Sequence, residues 1–194
     1  GPVNELGMFA MLENGLKVIS NPSAIFLSRP DGNQAGSAIF PVWEGSRALL
    51  VEVQALVDAN SGNYARRVTQ GFDGGRLAML LAVLNRHGGI SMHDMDVYVN
   101  VVGGLKISET ASDLAVLAAA VSRLRGKAIA RDTVIFGEVG LAGELRPAAN
   151  GEARIKAAEQ HGFKKLILPR ANLPRAHAKL NIYAADTLSE ALEQ

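Results

Sequence analysis

The chain of 194 residues contains no cysteine, which excludes a disulfide framework and a zinc site built from thiolates. No apolar run approaches the roughly 18 residues that a membrane-spanning helix needs. Gly1 and Pro2 lack the charged and apolar regions of a signal peptide, and we interpret them as the scar of a cleaved tag. The sequence therefore predicts a cytoplasmic localisation, no membrane partner and a fragment of a larger protein.

Signatures of several catalytic sites are also missing. There is no G-x-x-x-x-G-K-[ST] loop, which excludes a phosphate-cradling ATPase site of that type in this chain, and no G-x-S-x-G elbow. The four histidines show no metal-ligand spacing. His93 with Asp94 and Asp96 is a weak metal candidate, and a solvated loop is the preferred interpretation. We therefore expect neither a metal nor a cofactor in this chain.

The composition indicates a folded domain with an uneven distribution of charge. Hydrophobic residues make up 48% of the sequence, enough to bury a substantial core. The formal net charge is only +1, which argues against a generally basic nucleic-acid binder. Cations nevertheless outnumber acids within residues 61–90, 123–131 and 146–179. Each cluster is either a solvated helix face with loop lysines, or part of an anion-binding face that folding brings together.

Hydrophobic periodicity predicts alternating strands and helices. The signal Asn14-Gly15 between two apolar stretches predicts a β-hairpin near the start of the chain. Leucines at i, i+3, i+4 and i+7 predict a helix from Asp73 to about Arg86. Further helices are predicted after Thr110, by a capping-box pattern, and after Asn150 and Thr187. The predicted strands are residues 37–42, 47–57, 97–102, 133–136, 165–168 and 181–184. This order predicts an α+β fold with βαβ units.

The most distinctive run is residues 137–147, GEVGLAGELRP. It resembles the G-E-[IV]-x-L-x-G-x-[VL]-x-P segment of the Lon protease domain. Nearly the whole chain resembles the C-terminal, Lon-like domain of the RadA family of bacterial DNA-repair proteins, through motifs at residues 4–9, 21–23, 52–57, 66–76, 99–104 and 136–138. This resemblance implies a Lon protease-domain fold, like the second domain of ribosomal protein S5, over residues 37–194. Residues 3–36 are then a linker and hairpin remnant that follows an absent ATPase domain.

Lon proteases use a Ser–Lys dyad in which a neutral lysine removes the serine proton. Counting from Gly137, the resemblance places Ala111 at the serine position and Arg154 at the lysine position. Ala111 has no nucleophile, and Arg154 cannot act as a base near neutral pH because arginine side chains stay protonated in proteins. We therefore expect no catalytic residue and no enzyme activity in this chain.

A residual peptidase is the alternative from the enzyme class. Ser112 is one residue away from the serine position, so it is either a displaced nucleophile or a hydroxyl at a helix N-terminus. A different dyad can be assembled on paper from Lys106, Ser108 and Lys156, although nothing in their spacing singles them out.

The resemblance implies a scaffold rather than an enzyme. It further implies that the domain assembles into a homohexameric ring that contacts single-stranded or branched DNA. The parent protein resembles an ATP-dependent motor for branch migration in recombination. ATP, magnesium and zinc are expected only in its absent N-terminal domains. A recombinase and a replicative helicase are further partners implied for the parent. A pure oligomerisation or partner-docking module without DNA affinity is the third hypothesis.

The candidate DNA contacts are arginines and lysines that match phosphate oxygens. Arg66 and Arg67 lie in a polar loop. Arg76 lies in the first turn of a helix, where a cation is unfavourable unless Asp73 or a phosphate is its partner. The weaker candidates are Lys106, Arg123, Arg125 and Lys127. A hexameric ring would repeat these cations six times, so weak contacts with DNA phosphates would add up. Only 5% of the residues are aromatic, so base stacking should contribute little and we expect little preference for a DNA sequence.

Overall fold

The computed structural model describes residues 34–60, 62, 64–176 and 179–194, together with the backbone of three short strands at residues 9–12, 15–18 and 24–25. The interpretation of Gly1 and Pro2 as a scar, and the motif at residues 21–23, lie outside the described residues. The proposed boundary at residue 37 stays a prediction.

Strands and helices alternate over most of the chain. The strands are β1 (Phe9–Leu12), β2 (Gly15–Val18), β3 (Ala24–Ile25), β4 (Ser37–Glu44), β5 (Arg47–Ala59), β6 (Arg67–Gln70), β7 (Met95–Val101), β8 (Thr133–Ile135), β9 (Glu138–Val139), β10 (Leu145–Arg146), β11 (Lys165–Pro169) and β12 (Asn181–Ala185). The helices are α1 (Gly74–Gly88), α2 (Asp113–Arg125), α3 (Gly151–Gln160) and α4 (Leu188–Leu192). Short 3-10 turns span Thr110–Ser112 and Arg170–Asn172.

In the described part of the chain, eight strands form one mixed sheet in the order β12-β11-β8-β4-β5-β7-β6, with β3 added beside β5. The long strand β5 pairs antiparallel with β4 through its first half and with β7 through its second half. All other pairs in this sheet are parallel. The helix α1 connects the parallel strands β6 and β7, and α3 lies between β8 and β11, so the predicted α+β class with βαβ units is confirmed. The predicted hairpin is also present, as the antiparallel pair of β1 and β2.

The core lies on both faces of the sheet because side chains alternate along β5. Val51 and Val53 of β5 belong to a cluster that also contains the buried residues of α1 and α2. Leu50 belongs to a second cluster with residues of α3, β8 and β11. The far end of this second face lacks a covering helix among the described residues, and Leu56 and Val68 there are 44% and 42% exposed.

The helix ends agree only partly with the predicted caps. Asp73 caps α1 as predicted, since its carboxylate accepts the backbone N–H of Arg76 at 2.8 Å. The capping box predicted at Thr110 is wrong, because the Thr110 hydroxyl donates to Glu138 at 2.6 Å and the Asp113 carboxylate binds other partners. Asn150 precedes α3 as predicted, but its φ of 59° is left-handed and its side chain makes no capping bond.

Among the described residues, none of the helices is both long enough and apolar enough to cross a membrane.

Candidate functional site

The two positions that the Lon resemblance assigns to a Ser–Lys dyad lie in a well-packed part of the domain. Ala111 is buried in the 3-10 turn that precedes α2, and its carbonyl accepts the N–H of Gly137 at 2.8 Å. Arg154 lies on α3, and only 2% of its side chain is exposed. The methyl group of Ala111 supplies no nucleophile, and a guanidinium takes the place of the expected amine.

Arg154 is held by an ion pair with Glu109, a partner that the sequence reasoning missed. Its two terminal nitrogens lie 2.7 and 3.1 Å from the two carboxylate oxygens of Glu109. The same guanidinium donates to the carbonyls of Pro41 and Ala149, each at 2.8 Å. The Glu109 carboxylate also accepts the N–H of Trp43 at 3.1 Å. Arg154 therefore connects α3, β4 and the turn before α2, and four of its five N–H donors bind protein acceptors.

Ser112 and the other dyad candidates show no catalytic arrangement. Ser112 is fully buried directly before α2, and its hydroxyl donates to the carbonyl of Glu109 at 2.8 Å without capping a helical N–H. Lys106, Ser108 and Lys156 are all exposed. In the part of the chain that the structure describes, no hydrogen bond joins Ser108 to either lysine.

The guanidinium of Arg76 pairs with Asp113, which replaces both of the partners considered from the sequence. Its Nε lies 2.7 Å from one oxygen of Asp113, and its Nη2 contacts the other. Asp113 is fully buried and also accepts the N–H of Val139 at 3.1 Å. Burial raises the pKa of Asp113, and the bonds from Arg76 and Val139 oppose that shift, while the same pair raises the pKa of Arg76. Arg76 thus joins α1, α2 and β9.

The side chains of Arg66 and Arg67 have different environments although the two residues are adjacent. The Arg67 guanidinium donates to the carbonyls of Arg66 at 3.2 Å and Met92 at 2.9 Å, and also to that of Met95. It therefore fastens the segment between α1 and β7 to β6. The Arg66 side chain is exposed.

The backbone N–H of Arg66 donates to Asp96 at 2.7 Å. This bond, followed by one from the Asn60 amide, lowers the pKa of Asp96. Both bonds reach the same oxygen of the Asp96 carboxylate. Among the described residues, no three histidine, aspartate or glutamate side chains are placed to hold a metal ion.

The predicted basic residues do not form one cluster. Arg76 contacts Asp113 at the start of α2, whereas Arg123 and Arg125 lie near the end of that helix, about 15 Å or more further along its axis. Lys106 is exposed in the segment between β7 and the 3-10 turn. The structure therefore separates these cations into several surface regions.

Two of the arginines border the uncovered face of the sheet. Alternation along β6 puts Arg66 on the same side as Val68 and Gln70. Arg123 lines a recess of about 390 Å³ on this face. The polar and aromatic residues of the recess form cross-strand rows, which the register gives as Gln54–Asn100–Gln70 and Leu56–Tyr98–Val68.

Comparison with known proteins identifies the relatives of this chain. A family model described as subunit ChlI of Mg-chelatase matches residues 78–172. The DNA repair protein RadA of Escherichia coli K12 is 56% identical over 193 residues, which cover 99% of this chain and 42% of that protein. RadA of Pseudomonas aeruginosa is 55% identical over 194 residues, covering 100% of this chain and 43% of that protein. RadA of Aquifex aeolicus is 44% identical, with coverage of 100% and 43%.

These similarities confirm the resemblance found in the motifs. They extend over the whole chain, whereas the chain spans well under half the length of the RadA proteins that it matches. The mixed sheet with βαβ units is the architecture expected for the Lon-like part of such proteins. The chain therefore belongs, as a segment, to the RadA family of bacterial DNA repair proteins.

Proposed function

We propose that this chain is a proteolytically inactive, Lon-like domain that serves a RadA-type repair protein as an oligomeric scaffold and as a DNA-backbone-binding module. The observation that carries the proposal is the buried arginine at the lysine position of the dyad. Arg154 is 2% exposed and its donors are used by Glu109, Pro41 and Ala149. A side chain so placed is a structural support and cannot exchange protons near neutral pH.

The absence of peptidase activity follows from both dyad positions together. Ala111 has no hydroxyl to attack a carbonyl, and Ser112 is buried with its hydroxyl engaged. A casein or fluorogenic-peptide assay tests this part of the proposal. We expect no turnover above buffer. Turnover that is lost in Ser112→Ala would establish the residual peptidase instead.

The DNA-binding part of the proposal rests on the uncovered sheet face. Arg66 and Arg123 supply exposed cations at its borders, and guanidinium groups bind phosphate oxygens through paired hydrogen bonds. The amide rows and Tyr98 lie between them and can contact sugars and bases. One aromatic ring gives a limited stacking contribution, so the preference for any base sequence is small.

The wider roles concern the parent protein. In the proposal the domain assembles as a homohexamer, and the ring holds the DNA for an ATP-dependent branch-migration motor in recombination. ATP with magnesium, and zinc, belong to other parts of the parent, and a recombinase and a replicative helicase are its candidate partners. The cytoplasm is the proposed location, in keeping with the DNA repair role of the relatives.

Salt-dependent DNA binding tests the interface. Fluorescence anisotropy with a labelled single strand and a labelled duplex measures the affinity over a series of sodium chloride concentrations. Removing one phosphate contact should reduce the slope of log affinity against log salt by about 0.7 to 0.9. We expect Arg66→Ala and Arg123→Ala each to show this loss, with Lys156→Ala on α3 as the exposed control.

The same titration separates this proposal from a pure oligomerisation or docking module. That alternative is favoured by one observation, namely that Arg67 and Arg76 commit their guanidinium groups to protein partners. Unchanged affinity and slope in the Arg66→Ala and Arg123→Ala variants would remove the sheet face from the DNA interface. No measurable DNA affinity for the intact chain would support the docking module.

A further inference from the structure

A second cavity lies away from the dyad positions and from the uncovered sheet face. It is enclosed by α2, β8, β11 and α4, and its volume is about 420 Å³. Pockets for small molecules commonly fall between about 300 and 1,000 Å³. The cavity is therefore large enough for a ligand of modest size, and neither Arg154 nor Arg66 belongs to its wall.

The wall of the cavity is largely apolar. The residues that form this apolar part include Ala118, Val121, Ile129, Ile135, Ile167 and Leu192. They come from two strands, two helices and the segment after α2, so the lining is built by the fold and not by one loop. An apolar body in this cavity would remove hydrocarbon surface from water, which is favourable in proportion to the area buried.

Cations dominate the charged part of the lining. Arg125, Lys127 and Lys165 line the cavity, against Glu193 as the acidic residue among the described ones. Arg125 and Lys127 are exposed, and no described ion pair neutralises them. Lys165 lies 4.7 Å from the centre of the Tyr183 ring, and its amine donates to the carbonyl of Gln194 at 3.4 Å. This part of the lining therefore favours a negatively charged group.

Thr133 provides an independent indication of a ligand. It lines the cavity and is 2% exposed, and its Oγ1 is the buried side-chain polar atom that has no hydrogen-bond partner among the described residues. Ser122, which also lines the cavity, is different, because its hydroxyl accepts the N–H of Gly36 and donates to the carbonyl of Lys127. A buried hydroxyl without a partner costs free energy, so an orphaned one requires an explanation.

The geometry points to a binding site for a small amphipathic carboxylate, beyond the proposed DNA-binding role. The apolar wall takes the hydrocarbon body, Arg125 and Lys127 attract the carboxylate, and the Thr133 hydroxyl offers the ligand a hydrogen bond. A bare anion such as phosphate would leave the apolar wall unused. An uncharged alcohol would leave the cations unused.

Amide-resolved NMR of the isotope-labelled chain tests this assignment in the absence of nucleic acid. Sodium octanoate is the probe. Octan-1-ol has the same hydrocarbon chain but no charge, and inorganic phosphate is negatively charged but has no hydrocarbon chain. We expect octanoate to shift the amide signals of Ile129, Thr133 and Leu192, and to bind at least tenfold more tightly than either comparator. Equal affinity for octan-1-ol, or the same shifts with phosphate, would overturn the assignment.

Variants on the exposed rim keep the test independent of folding. The double variant Arg125→Ala with Lys127→Ala should weaken octanoate binding at least tenfold, and Lys156→Ala should leave it unchanged. Octanoate affinity that is the same in the double variant would overturn the role of these cations. Thr133→Val, which keeps the side-chain shape, should weaken octanoate binding severalfold while raising the melting temperature of the ligand-free chain. An unchanged octanoate affinity in this variant would remove Thr133 from the site.

Discussion

The two terminal nitrogens of Arg154 lie 2.7 and 3.1 Å from the two carboxylate oxygens of Glu109, and this pair stands at the position that the Lon resemblance assigns to the general base of a Ser–Lys dyad. Glu109 is two residues before Ala111, so the ion pair also holds the turn that would carry the nucleophile. The domain thus uses the position of a reactive amine for a contact that stabilises the fold.

Loss of Arg154 should strongly reduce the free energy of unfolding. Arg154→Ala leaves Glu109 without its cationic partner, and removes the guanidinium from the carbonyls of Pro41 and Ala149, in a mostly buried place, which we expect to cost about 3 kcal/mol. Arg170→Ala is the control, because its ion pair with Asp186 is exposed and should contribute less than about 1 kcal/mol. Urea unfolding followed by circular dichroism measures both. Similar losses in the two variants would contradict the structural role of Arg154.

Restoring the dyad should not restore peptidase activity. In the double variant Ala111→Ser with Arg154→Lys, Glu109 lies next to the new amine and favours its charged form, so the lysine cannot accept the serine proton. We expect no hydrolysis of a fluorogenic peptide at pH 7.5. The variant Ala111→Ser alone is the control for folding and background. Hydrolysis by the double variant at a rate well above that control would show that Glu109 does not block the site.

Alanine substitutions at the adjacent residues Arg66 and Arg67 should reduce the free energy of unfolding by different amounts. Arg67→Ala removes a guanidinium that holds three backbone carbonyls, and we expect the free energy of unfolding to fall by about 2 kcal/mol. Arg66→Ala, the matched control, changes an exposed side chain and should stay within about 0.5 kcal/mol. Chemical denaturation of both variants gives the comparison. An equal effect of the two changes would mean that the carbonyl contacts of Arg67 contribute little.

Two glycines with similar φ angles should lose different amounts of stability when each is replaced by alanine. Gly71 has a φ of 83°, and a methyl group there would meet the carbonyl oxygen of Leu105 at 2.3 Å and the Val101 Cβ at 2.8 Å. Gly104 has a φ of 75°, and a methyl group there would have no neighbouring atom within 4 Å. Gly104→Ala should cost only the left-handed strain of about 1 to 2 kcal/mol, and Gly71→Ala clearly more. Thermal unfolding tests this order, and equal melting temperatures would contradict the close approach at Gly71.

Acidification should destabilise the domain partly through His161. Burial lowers the pKa of His161 below its usual value of 6.5, so the unfolded chain binds this proton more readily than the folded one. The corresponding stability is present above pH 6.5 and is lost as the pH falls through the lowered pKa. We expect the melting temperature of the natural sequence to drop more between pH 7 and pH 5.5 than that of His161→Gln. Parallel pH profiles for the two proteins would exclude this contribution.

Local patterns were sufficient to predict the elements but not their long-range contacts. The leucine spacing and the carboxylate of Asp73 predicted α1 correctly, because both signals act within one or two turns. The sequence considered Asp73 as the partner of the Arg76 side chain, yet the guanidinium binds Asp113, which is 37 residues away. No local signal marks such a pair, since only the packing of α1 against α2 brings the two side chains together.

The same reason explains why Glu109 was missed. It is 45 residues from Arg154 and has no distinctive motif of its own. The resemblance assigned Ala111 and Arg154 to the two dyad positions from residue type and spacing alone, and that assignment stays a prediction. What occupies the site depends on β4, α3 and the turn before α2, and only the folded domain shows this arrangement.

The burial of Arg154 limits the substitutions that the domain can tolerate at the two proposed dyad positions. A lysine at the same position has three N–H donors on one nitrogen in place of a planar fork, so it could not reproduce the four hydrogen bonds that Arg154 makes to Glu109, Pro41 and Ala149. A serine regained at position 111 alone would bring no base with it. Under the proposed function, a single substitution at either position is therefore expected to give a less stable domain or no peptidase activity, so both positions would have to change together.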